Sequence, residues 1–80
     1  MENIPIAQTN VAKELDRIAQ TLDRPEAAQM YNSLVAIAED ALYKTTLAAG
    51  FVEVPDDSVR QIRRLEEWVN YFAQEEKEYI

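Results

Sequence analysis

Eighty residues with a formal net charge of −7, 48% hydrophobic side chains, no cysteine and no histidine make one small domain, without disulfide staples or zinc and iron sites built on thiolate or imidazole. A chain this short buries only about 60–65% of the surface its unfolded form exposes, so assembly would add buried area that the core alone lacks. Fifteen acidic against eight basic residues disfavour attraction to phosphate backbones or anionic lipid and suit a protein partner with a basic face.

The amino end, MENIPIAQ, carries Glu2 and lacks a basic region followed by an apolar run, so it does not read as a secretory signal. No stretch approaches the roughly 20 apolar residues of a membrane span. A cytoplasmic protein that contacts no membrane is expected. One glycine, Gly50, and three prolines, Pro5, Pro25 and Pro55, punctuate the chain. Between them apolar residues recur at helical spacing.

In the first segment Ile4, Ala7, Val11, Leu15, Ile18 and Leu22 form one stripe, flanked by Ala12 and Ala19. Its helix begins at Pro5 or at an Asn10 cap and runs to about residue 23. Asp23-Arg24-Pro25 is too short a connection for anything but antiparallel neighbours. Pro25 suits the first turn of a second helix, 25–49, whose apolar arc takes in Ala27, Met30, Tyr31, Leu34, Val35, Ile37, Ala38, Ala41, Leu42 and Ala48. So wide a face is that of a central helix. Gly50 is expected to end it in a left-handed cap. In GFVEVPDD, the side chains Phe51, Val52 and Val54 are expected to fold back over the end of the bundle. Asp56, Asp57 or Ser58 is expected to cap a third helix, 57–78, and Ser58 followed by Gln61 fits a capping box; Ile62, Leu65, Val69 and Phe72 are its core stripe. The fold expected is all-α: a single-domain, up-down-up bundle of three helices over residues 1–80, assembling as a homodimer. Its core should include Val11, Leu15, Ile18, Leu22, Met30, Leu34, Ile37, Ala41, Ile62, Leu65, Val69 and Phe72.

Arg60, Arg63 and Arg64 form the densest basic stretch. At 100° per residue, Arg60 and Arg64 point away from the core stripe and Arg63 lies to one side, so all three face solvent in a monomer. Asp56 precedes Arg60 by four residues, and Glu67 follows Arg63 by four and Arg64 by three. Such pairs contribute about 0.2–0.5 kcal/mol each and cancel most of the local field. A helix-turn-helix would use a turn of three or four residues, and the connection here is longer, so nucleic acid is not the expected partner.

The same wheel places Trp68 off the core stripe and Tyr71 nearly opposite it. Arg64, Trp68, Tyr71 and Glu75 form a second stripe on the back of the third helix, with Arg60 one turn before. Tryptophan, tyrosine and arginine are enriched at interface hot spots. These five residues, Arg60, Arg64, Trp68, Tyr71 and Glu75, are the candidate partner-binding set, for a second copy or another protein; Trp68 covering a helix seam is the plainer alternative. Tyr43 is expected to face outward on the second helix.

Catalytic chemistry finds little support. Glu75-x-x-Glu78 alone has the spacing of helical magnesium-dependent nucleotide hydrolases, and magnesium needs several converging oxygens. Ser33 and Ser58 have no histidine to activate them, and Lys13, Lys44 and Lys77 have no evident apolar pocket. No catalytic residue, metal or cofactor is assigned. The expected function is a small acidic, non-enzymatic interaction or regulatory module acting through its third helix. The alternatives are an acidic mimic of nucleic acid that occupies a basic groove, a weak DNA-binding regulator, and a magnesium-dependent hydrolase.

Overall fold

The computed structural model describes residues 4–50 and 56–80. All regular structure among them is helical: a short 3-10 turn at Ile6–Gln8, then α1 (Asn10–Gln20), α2 (Arg24–Ala49) and α3 (Asp56–Glu78). The expected positions of Phe51, Val52 and Val54 lie outside the described residues.

The start of the first helix corrects both expected starts: Pro5 leads only into a separate turn, and the cap is Thr9, not Asn10. The 3-10 turn follows Pro5, and α1 opens at Asn10 with Thr9 as its cap. The Thr9 hydroxyl donates to the Ile6 carbonyl at 2.7 Å and accepts from the Ala12 N–H at 3.2 Å. One side chain thus closes one turn and opens the next. α1 stops at Gln20, short of residue 23, because its last turn tightens. The Thr21 N–H and hydroxyl both reach the Ile18 carbonyl, and the Leu22 N–H reaches that of Ala19. These i to i−3 bonds satisfy the end of the helix, and Asp23 is extended, with ψ 155°.

α2 begins with Pro25 in its first turn, as expected. Its end corrects the sequence reading: Gly50 has φ −71°, a right-handed conformation, and its N–H simply bonds the Thr46 and Leu47 carbonyls at 3.1 Å. The capping box is corrected too. α3 starts at Asp56, so the three expected caps, Asp56, Asp57 and Ser58, all lie inside its first turn. Asp56 and Asp57 fill that turn and meet the positive end of the helix dipole.

α2 and α3 form the dominant contact of the molecule. They run antiparallel: the Arg24 guanidinium donates to the Glu78 carbonyl and the Asn32 amide to the Glu76 carboxylate, both at 3.1 Å. This packing is compatible with a helical bundle. α1 touches α2, and the 3-10 turn touches α3. At 1.5 Å per residue α1 is only about 16 Å long and α2 about 39 Å, so α1 covers less than half of the α2–α3 pair. No described residue from Glu39 to Tyr71 is buried. The molecule is correspondingly drawn out. Its Cα radius of gyration is 14.1 Å, against about 11.6 Å for a compact chain of this length.

The core is aromatic at its centre and alanine-lined at its helix contacts. Tyr31, Trp68, Tyr71, Phe72 and Tyr79 make a chain of ring contacts with centroids 5.2–6.3 Å apart. The buried residues are Ile6, Ala12, Ala19, Ala27, Tyr31, Ala38 and Phe72. Leu15, Leu22, Met30, Leu34 and Val69 pack against them as expected, while Ala41, Ile62 and Leu65 are half-buried. Val11, Ile18 and Ile37 do not join the core: they are 59%, 37% and 65% exposed. The reason is visible one residue along. Ala12, Ala19 and Ala38 are the buried members of the adjacent pairs Val11-Ala12, Ile18-Ala19 and Ile37-Ala38. Neighbours in a helix diverge by about 100°, and helix separation depends on the side chains at the contact. Here the small side chains take the contact and turn the branched ones outward.

Tyr31 is the one large side chain buried completely, and its hydroxyl has no hydrogen-bond partner among the described residues. Truncation by Tyr31→Ala should therefore cost about 3–5 kcal/mol. Tyr31→Phe, which removes only an unsatisfied group, should be neutral or mildly stabilising. Ala19→Leu should overpack the α1 contact and cost about 1–3 kcal/mol. Denaturant unfolding of the three variants checks this ordering, and a Tyr31→Phe loss as large as that of Tyr31→Ala would contradict it.

Candidate interaction surface

α3 carries Arg60, Arg64, Trp68, Tyr71 and Glu75 at steps of four, four, three and four, so the five share one flank of the helix. That grouping agrees with the sequence reading. Its orientation does not. Trp68 and Tyr71 are half-buried and pack against the core. The Trp68 ring lies 5.2 Å from that of Phe72 at 32° and meets Tyr71 edge-on at 6.2 Å. The two aromatics are drawn in because Tyr31 takes the inner face of α2, opposite Phe72, and the rings beside Phe72 close around it.

The arginines separate along the helix. Arg60 is exposed and pairs with Asp57 at 3.7 Å, where Asp56 was expected. Arg64 is drawn down, its side chain 29% exposed, with a 2.8 Å bond to Glu67; the expected full exposure of Arg64 is corrected. The Arg63–Glu67 pair is absent among the described residues, since Glu67 is engaged by Arg64. Of this flank only Arg60 is exposed; Arg64, Trp68, Tyr71 and Glu75 are all half-buried.

Charge gathers around the tyrosines from more than one helix. Burial, then the nearby carboxylates of Glu75 and Asp16, pushes the Tyr31 hydroxyl up to about 12. Burial first and Glu75 second raise Tyr71 well above the usual range. Tyr79 is raised by burial and by Asp16. In each case the cause is the same: a phenolate would be desolvated and placed beside an existing negative charge. On α1, the Arg17 guanidinium donates to Glu14 at 2.8 Å and holds that carboxyl below its ordinary value.

A second surface was missed in the sequence. Val11 and Ile18 form an exposed edge on α1, and Ile37 an exposed point on α2. Leaving a valine or isoleucine in water forgoes about 1.5–3 kcal/mol that burial would give. The signal lay in the alanines: Ala12 and Ala19 run parallel to the branched stripe and compete with it for the contact. Tyr43 faces outward as expected, beside Leu47. Tyr43, Thr46, Leu47 and Gly50 line a shallow apolar depression of about 300 Å³. Among the described residues there is no cluster of three or more metal-ligating side chains, and no helix is long and apolar enough to cross a membrane. Compared with known proteins, the chain matches no protein-family model, no curated protein and no solved structure.

Two predictions separate packing from surface charge on α3. Trp68→Ala should destabilise the fold by about 2–4 kcal/mol, because it removes a ring from the aromatic chain, whereas Arg64→Ala should cost about 0.5 kcal/mol or less. Equal effects in denaturant unfolding would show that Trp68 does not serve the core. The second concerns alkaline pH. An unfolded tyrosine ionises near 10 and folded Tyr31 at about 12. Between these values the unfolded chain has released a proton that the folded chain keeps, so stability is full below about pH 10 and falls as pH rises. Tyr31 alone should contribute a loss of up to about 2–3 kcal/mol. Tyr31→Phe should flatten the decline, and an unchanged slope would remove Tyr31 as its source.

Proposed function

We propose that this chain is a small cytoplasmic, non-enzymatic interaction module that assembles as a homodimer and meets another protein along the outer flank of α3. The observation that carries this reading is surface. The chain exposes 5990 Å², about 1,000 Å² more than the roughly 4,900 Å² usual for a folded monomer of its mass. Large apolar side chains are part of what is exposed, on α1 and on α2. A standard stable interface takes about 800 Å² from each partner, so the excess is of the size that one assembly event removes.

The α3 flank supports the heterologous half of the reading. Trp68 and Tyr71 are held in place by the core and only partly covered, with Arg60 exposed at one end of the flank and a half-buried Glu75 at the other. Side chains already fixed lose little conformational entropy on binding, which is what an interface anchor requires.

Sedimentation equilibrium over a concentration series, from low micromolar to millimolar, tests self-association. The expected result is a species of twice the 9.2 kDa chain mass that dissociates on dilution. A single 9.2 kDa species throughout would end the homodimer reading.

A further inference from the structure

We propose that a second copy of this chain covers the Val11/Ile18 edge of α1, the two α1 helices lying antiparallel about a two-fold axis that passes between Glu14 and Leu15. The inference rests on the self-association proposed above and assigns it a surface.

Geometry gives the first argument. In a two-fold interface, residue i meets residue j and j meets i. Val11 and Ile18 are seven residues apart, two turns along one side of α1, and both are exposed. An antiparallel pairing sets each Val11 against Ile18 of the other copy, so the exposed parts of two branched apolar side chains cover each other twice. Ala12 and Ala19 hold the adjacent face of α1 against its own chain, which leaves this edge turned outward without any rearrangement.

Charge gives the second. A chain of net charge −7 repels its copy, so a self-interface belongs where the local charge is balanced. α1 is that place: Lys13 and Arg17 offset Glu14 and Asp16. α2 carries two basic against three acidic residues, and α3 four against seven. The other exposed apolar group, Tyr43 and Leu47 with Val59, lies on those two negative helices. Glu14 and Arg17 border the α1 edge one turn apart and already attract one another. About this axis Glu14 lies nearest its own counterpart in the other copy, so the like charges at the rim rely on the Arg17 bound to each for neutralisation.

The exposed excess belongs to the whole elongated chain and bears on self-association, so the choice of α1 rests on geometry and charge.

The test is sedimentation equilibrium of the full chain and three double variants. Val11→Lys with Ile18→Lys sets like charges opposite each other and should raise the dimer Kd at least tenfold. Both side chains are exposed, so helical circular dichroism should be retained. Val11→Glu with Ile18→Lys sets opposite charges across an antiparallel pair and should dimerise more tightly than the double lysine variant. Leu47→Lys with Val59→Lys should leave the dimer intact. Added salt should tighten the wild-type dimer by screening its net charge. A wild-type dimer that survives the double lysine change, or that is lost instead in Leu47→Lys with Val59→Lys, would overturn the assigned surface and leave self-association standing. No gain for Val11→Glu with Ile18→Lys over the double lysine variant would overturn the antiparallel axis. A wild-type monomer at every concentration would remove both the surface and the homodimer.

Discussion

Tyr31, held between the rings of Phe72 and Tyr79, is the contact on which the rest of this structure depends. It is fully buried at the crossing of the two longest helices. With Phe72 fixed there, Trp68 and Tyr71 close from one side and Tyr79 from the end of α3. Large rings supply most of the apolar area in such a small core. They also concentrate it at one end. The Arg24–Glu78 and Asn32–Glu76 bonds tie that same end, and α1 is too short to extend the core along the pair. An elongated molecule with a thin far half is the result.

The second organising feature is the line of alanines. Ala12 and Ala19 on α1, with Ala27 and Ala38 on α2, are all buried. A methyl group costs almost no side-chain entropy to bury, and it lets two helix backbones approach closely. Each of three of these alanines has a β-branched neighbour turned about 100° away, and each of those neighbours is exposed. The close approach that organises the inside thereby creates the apolar edge on the outside. The exposed apolar edge on α1 is a consequence of the packing, not an addition to it.

Electrostatics here is local. The exposed pairs Glu14–Arg17, Asp40–Lys44 and Asp57–Arg60, and the half-exposed Arg64–Glu67, each join residues three or four apart on one helix. Pairs of this kind neutralise fields more than they stabilise folds. They answer the question raised by the three arginines of α3, two of which are held by their own helix. Among the three helices only α1 carries balanced charge, which is why the proposed dimer is assigned to it.

The sequence by itself determined the helices, their order, the stops near Pro25 and Gly50, and the core membership of Leu15, Leu22, Met30, Leu34, Val69 and Phe72. These follow from periodicity and backbone chemistry, which act within a few residues. It also grouped Arg60, Arg64, Trp68, Tyr71 and Glu75 on one flank, since spacing alone fixes which residues share a side of a helix. Only the tertiary structure decided which way each flank faces. A helical wheel weighted by hydrophobicity points Val11, Ile18 and Ile37 inward, and sends Trp68 and Tyr71 out. The fold turns both assignments, because helices dock by the fit of side-chain size at the contact and not by the sum of apolar character. Alanine outranks valine where backbones meet, and a ring half off the stripe can still reach a core that another ring has opened.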